Sequence, residues 1–172
     1  SADFKKNQFQ IAHLTNTVFG DSRDVIPNYS ASYRYNNFFD GRKGEAKLTN
    51  TYTEFPDFVR TGAGLNSTAE DMANWFIALQ AGRLFKNPAT LEMMWSPGQF
   101  NNGTPTNWAR GWGITKPRKN HRVVGMSGGN RSVIMVYPDD HMAIIVLTNL
   151  AGSAPEDFVE EIAGCYNPDI LK

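Results

Sequence analysis

A single cysteine, Cys165, stands in 172 residues. That excludes an internal disulfide and a cysteine-based zinc site. Neither sign of charge dominates, because 17 Lys+Arg face 17 Asp+Glu and the formal net charge is zero. A nucleic-acid binder needs a basic face that releases counterions, and a surface-anchored protein needs a polybasic cluster, so neither class is expected. No apolar run nears the roughly 20 residues that span a bilayer. The run Ala143 to Leu147 reads instead as a buried strand. The opening residues, Ser1-Ala2-Asp3-Phe4-Lys5-Lys6, lack the apolar core of a signal peptide, which predicts either a cytosolic protein or a targeting segment outside this stretch. There is no P-loop and no Gly-x-Gly-x-x-Gly after a strand, so no nucleotide cofactor is expected. The three histidines, His13, His121 and His141, have no carboxylate or second histidine at metal-ligand spacing, and no metal is expected.

What remains is an ordinary globular composition. Hydrophobic residues make up 41% and aromatics 12%, enough for a packed core and too much for a disordered chain. Residues 1–65 have weak periodicity and read as a loop-rich arm, with a turn at Asp40-Gly41-Arg42-Lys43-Gly44 between two possible short strands. Residues 66–97 read as a helical part. Ser67 with Glu70 three residues on predicts a capping box, and Met72, Trp75, Phe76 and Leu79 then form one apolar face, stopped by Gly82. A second short helix is expected from Pro88 to Trp95. Residues 108–172 read as antiparallel strands and a terminal helix. Strands are predicted at Arg122 to Ser127, Ser132 to Tyr137 and Met142 to Thr148, the last two joined by the turn sequence Pro138-Asp139-Asp140-His141. Pro155 to Tyr166 closes the chain as a helix with Phe158, Ile162 and Cys165 on one face. The outline is an α+β fold.

The most informative local pattern is Gly125-Met126-Ser127-Gly128-Gly129-Asn130. Glycines between two strands let a ligand lie against the strand edge, where free N–H groups can bond a peptide or a developing oxyanion. The same pattern also describes a Gly-rich hairpin turn.

Several segments in order sharpen this. They are Leu14-Thr15-Asn16-Thr17, Asp21-Ser22-Arg23, Ile26-Pro27-Asn28 with Tyr33, Gly62 to Asp71, Gly111-Trp112-Gly113, Gly125 to Asn130, and Ile145 to Asn149. Together they resemble the C-terminal half of the serine β-lactamase and penicillin-binding-protein-like hydrolases, nearest the class C β-lactamase, esterase and D-aminopeptidase branch. The resemblance runs from about Phe9 to Tyr166. It implies part of a β-lactamase/transpeptidase-like fold, with a terminal helix across one face of an antiparallel sheet and a small helical cluster. It also implies a periplasmic or secreted parent that acts on a small-molecule or peptide substrate.

Members of that family use a Ser-x-x-Lys nucleophile, a Tyr-x-Asn motif and a Lys-Thr-Gly or His-x-Gly strand. No serine here has a lysine three residues later, so no catalytic residue is assigned. Tyr35-Asn36-Asn37 matches Tyr-x-Asn by letter, but it follows the Leu14 to Asn28 block, which the family's motif precedes. The strand motif falls on Met126-Ser127-Gly128, so a thioether replaces the family's cation. The resemblance thus assigns Met126, Ser127, Gly128, Gly129 and Asn130 to a substrate-binding wall.

Three accounts follow. The chain is a piece of a larger serine hydrolase, inactive alone, whose partner is the missing N-terminal half and whose exposed sheet edge invites self-association. Or it is a natural non-catalytic relative, which Met126 favours. Or it is an unrelated module holding a sugar or peptide on Trp108, Trp112 and the Asn101 to Asn107 loop. The first is the principal expectation.

Overall fold

The computed structural model describes residues 2–20, 23–39, 42–52, 54–55, 57–114, 121–128 and 132–172. The chain opens with α1 (Ala2–Phe4), a π-type stretch (Lys5–Phe9) and α2 (Gln10–Ala12), which run on as one helical segment. Sequence patterning predicts a loop-rich arm here. The apolar residues are too few to mark a helical face, and tertiary packing decides the outcome. Phe9 and Ala12 are buried, and Phe4 stacks on Phe19 with ring centres 4.9 Å apart. His13 ends the segment in the left-handed conformation.

β1 (Val18–Phe19) follows. β2 (Tyr33–Phe39) and β3 (Arg42–Asn50) then pair antiparallel as a hairpin with a register shift between Asn36 and Phe38. They flank the expected turn, whose Asp40 and Gly41 lie outside the described residues. After α3 (Arg60–Ala63), β4 (Leu65–Asn66) pairs antiparallel with β1.

α4 (Ala69–Gln80) starts one residue later than the capping box predicts. Thr68 is the N-cap, its hydroxyl accepting the Asp71 N–H at 3.1 Å. Ser67 is instead hydrogen-bonded to the Thr17 hydroxyl at 2.8 Å. The predicted stop holds: Gly82 has φ 70°, and N–H groups of Gly82 and Arg83 reach the carbonyls of Leu79 and Ala78. α5 (Ala89–Trp95) follows, with Pro88 as its N-cap and the Asn87 side chain accepting the Ala89 N–H.

β5 (Gly113–Ile114), β6 (Val124–Gly128), β7 (Ser132–Tyr137) and β8 (Met142–Leu147) form one antiparallel sheet in that order. β7 and β8 are apolar at nearly every position because both faces are covered. Val133, Met135 and Tyr137 pack with Ile144 against α6 (Val159–Tyr166), while Val136 and Val124 pack against Phe76, Leu79, Trp95 and Trp112. The result is three layers, with the sheet between the terminal helix and the α4–α5 pair. The α+β expectation stands, but the buried face of α6 is corrected. Val159, Ala163 and Gly164 are buried, Ile162 packs at the margin, and Phe158 and Cys165 are exposed. A 3₁₀ turn over Pro155–Asp157 precedes the helix and changes its angular phase.

Three polar clusters hold the layers together. Asp71, only 2% exposed, accepts the Asn16 N–H at 2.8 Å and the Thr17 hydroxyl at 2.6 Å, across 55 and 54 residues of chain. His121 meets Asp140 at 2.8 Å, and the Asn167 amide donates to the same carboxylate at 2.8 Å, joining the start of β6 to the end of α6. Arg122 bridges Glu92 on α5 and Asp139 in the β7–β8 turn. Partial burial works against its charge, yet the two carboxylates outweigh that and hold its pKa above the ordinary value.

Three substitutions have expected outcomes. A Cβ at Gly125 would lie 2.8 Å from the Ile134 carbonyl oxygen and 2.7 Å from Met135 Sδ. Gly125→Ala should therefore cost about 1–3 kcal/mol in urea denaturation. At Gly128 the nearest atom is Ser132 Oγ at 3.5 Å, so Gly128→Ala should change little. Asp71→Ala leaves an N–H and a hydroxyl without their acceptor and should cost about 2–4 kcal/mol. It should also raise the rate of proteolysis within residues 2–19 above that at α6.

Candidate functional site

β6 carries the candidate wall. β7 pairs with it along its whole length, from Val124 opposite Val136 to Gly128 opposite Ser132. β5 is only two residues long and covers Val124 and Gly125 alone. Beyond Gly125, the outer edge of β6 has no strand partner among the described residues. Met126, Ser127 and Gly128 are exposed there. A strand edge without a neighbour presents unpaired N–H and C=O groups, the chemistry needed to bond an amide or ester. The structure thus brings together Met126, Ser127 and Gly128. Gly129 and Asn130 lie outside the described residues.

Alternation sets what each side chain faces. Val124 points to the α4 layer, so Met126, two residues on, does too, beside its cross-strand partner Ile134. Here the structure adds something sequence patterning does not reveal. Met126 lines a cavity of about 220 Å³ walled by Phe4, Phe9, Met72, Trp75 and Trp112. Among the described residues Gln8 is its one amide side chain and no charged one lines it, and the Gln8 Oε1 accepts the Trp75 indole N–H at 2.9 Å. The walls come from positions 4 to 134, and each residue alone reads as ordinary core. The signal within reach was the apolar face of α4, whose Met72 and Trp75 are only partly buried.

Other sequence candidates are placed elsewhere. Tyr35 is exposed on β2 opposite Leu48, in a different sheet from Met126. The two tryptophans of the sugar- or peptide-binding alternative divide. Trp112 is 7% exposed and meets Phe76 and Trp95 edge to face, whereas Trp108 is 60% exposed. His13 and His141 occupy left-handed cap positions, and His121 is tied to Asp140. Among the described residues no group of three or more His, Cys, Asp or Glu is placed to hold a metal, and no helix is long and apolar enough to cross a membrane.

Known proteins with this arrangement share a fold class. A D-stereospecific amidohydrolase from Streptomyces sp. superposes with a TM-score of 0.70 at 20% identity, covering 95% of this chain and 47% of that one. A penicillin binding protein from Bacillus halodurans gives 0.66 at 16% identity over 94% and 48%. A simvastatin synthase variant from Aspergillus terreus gives 0.71 at 16% identity over 96% and 49%. In sequence, penicillin-binding protein 4* of Bacillus subtilis (strain 168) is 27% identical over 157 residues, or 86% of this chain and 34% of that protein. The chain thus spans about a third of that relative's length and about half of each structural neighbour. The family model described as Beta-lactamase matches residues 3–163, nearly the whole chain. With the sheet, its open β6 edge and the ordered motifs in agreement, this chain belongs to the Beta-lactamase family.

Proposed function

We propose that this chain is the sheet-bearing portion of a serine hydrolase that acts through an acyl-enzyme on an amide or ester. The observation that carries the reading is the unpaired edge of β6 at Met126 to Gly128, in a chain that covers about half of its structural neighbours. The nucleophile belongs to a Ser-x-x-Lys segment outside these residues, and the chain supplies one wall of the site. The serine Oγ attacks the substrate carbonyl carbon. The negative charge that develops on the carbonyl oxygen is met by backbone N–H donors, one of them at the β6 edge. The C–N or C–O bond then breaks, the leaving group takes a proton, and water later cleaves the acyl-serine ester to release an acid and the free serine.

Met126 bears on this chemistry. A thioether neither donates a proton nor carries a charge, so Met126 takes no part in proton transfer. The edge of β8 away from β7 has no strand partner among the described residues, and it is where strands of the other portion of the domain add to the sheet. In their absence a second copy can pair there, since Met142 to Leu147 carries no charge to prevent it. The names of the fold neighbours include an amidohydrolase and a hydrolase with promiscuous acyltransferase activity. This supports an acyl-transfer chemistry without choosing the substrate.

A fluorophosphonate or fluorescent penicillin probe should leave the 172-residue chain unlabelled in mass spectrometry. A longer chain that carries Ser-x-x-Lys upstream should gain one covalent adduct on that serine, a phosphonyl ester with loss of fluoride from the first probe or an acyl ester by ring opening from the second. Labelling of the 172 residues alone would overturn the assignment of the nucleophile. An unlabelled longer chain would favour the non-catalytic relative that Met126 suggests.

A further inference from the structure

Asn102-Gly103 is the one place in the sequence where glycine follows asparagine. It forms the tip of an exposed turn. Gln99 and Pro105 pair antiparallel at its base, the Phe100 N–H donates to the Thr104 carbonyl at 2.9 Å, and residues 101–105 are all exposed. The Asn102 Oδ1 accepts the Thr104 N–H at 3.0 Å. The ring closed by this Asx turn runs through Asn102 Cγ and the Gly103 nitrogen, so the two are kept near each other. The same bond draws electron density from Cγ. Gly103 has no Cβ to hinder an approach, stands at φ 82°, and a Cβ added there would meet nothing within 4 Å. One bond works the other way. The Gly103 N–H donates to the Phe100 carbonyl at 2.8 Å and must come free before the nitrogen loses its proton. At an exposed tip that opening costs little, since Phe100 itself is 61% exposed and no core packing is lost.

Other asparagines lack this combination. Asn87 and Asn167 precede proline, whose nitrogen has no proton to lose. Asn66 lies in β4 and is followed by Ser67, which is bonded to Thr17. The Asn149 amide is committed to Ser30 and Ala31.

We propose that Asn102 is a site of spontaneous covalent modification, converted to aspartate and isoaspartate through a succinimide. The Gly103 nitrogen loses its proton and bonds to Asn102 Cγ. The Cγ–Nδ2 bond breaks, and ammonia leaves with that proton. Water then opens the ring at Cγ to give aspartate, or at the backbone carbonyl to give isoaspartate. Water is the only co-reactant, and nothing is oxidised or reduced. Either product adds one negative charge to a chain of zero formal net charge. Isoaspartate also lengthens the backbone by one carbon inside the tip, so the Phe100 and Thr104 bonds lose their spacing. This inference is independent of the hydrolase reading.

The test incubates the folded 172-residue chain in mildly alkaline buffer, beside an aliquot unfolded in urea. Peptide mapping by mass spectrometry locates each gain of about 1 Da, and an isoaspartyl methyltransferase with a labelled methyl donor counts isoaspartate. In the folded chain Asn102 should convert about fivefold or more faster than any other asparagine, and faster as the pH is raised. Gly103→Ala should slow conversion about fivefold or more, folded and in urea alike, because a methyl group then hinders the attacking nitrogen. The proposal falls if the folded chain keeps Asn102 intact over a period in which the unfolded chain converts it. It also falls if another asparagine in the folded chain converts as fast, or if Gly103→Ala converts like the parent.

Discussion

Burial of one four-stranded sheet on both faces governs this molecule. β7 and β8 have an apolar side chain at almost every position, and strict alternation sends one set to α6 and the other to α4 and α5. Register then leaves little freedom, because a slip of one residue would exchange the two sets. The consequence reaches β6. Once Val124 is committed to the α4 layer, Met126 must face the same way, and Gly125 must lie close under Ile134 and Met135. The orientation of the candidate wall is thus dictated by packing that has nothing to do with chemistry.

A second constraint closes the cavity. The helical segment over residues 2–12 shows little intrinsic amphipathicity, and it is held where Asn16 and Thr17 meet the carboxylate of Asp71. The backbone N–H of the same residue donates to the Thr68 cap that begins α4. One buried acid therefore fixes both the helix that supplies Met72 and Trp75 and the segment that supplies Phe4, Gln8 and Phe9. Buried charge is costly without partners, and the Asp71 carboxylate has them in the Asn16 N–H and the Thr17 hydroxyl.

Much of this was legible in the residues. Ser132 to Tyr137 reads as a strand because apolar residues run between turn signals, and the structure has it at those bounds. The strand at Met126 to Gly128, the candidate wall, was singled out from glycines and motif order, and the structure places it at an exposed strand edge. Legibility failed where the deciding partner is remote in sequence. Ser67 has the right chemistry for a cap, but Thr17 takes its hydroxyl. The helix over residues 2–12 is invisible until Phe19 is there to stack on Phe4. His121 finds its carboxylate at Asp140, 19 positions away and across two strands. The cavity is the extreme case, since no short window contains even half of its walls.

The β2–β3 hairpin has a different character. Every residue of β3 except Thr49 is exposed, and the bonds that seat the hairpin lie at its root. There Tyr33 exchanges backbone bonds with Asn149 and Ala151, and the Asn149 amide reaches the Ala31 carbonyl. A strand wetted at nearly every position, as β3 is, opens at little cost to the core, so its amides exchange with solvent on their own timescale. Sequence change is cheap there for the same reason. Beyond its anchored base, the hairpin is the part of this architecture that evolution can lengthen, shorten or recharge while the sheet beneath keeps its register.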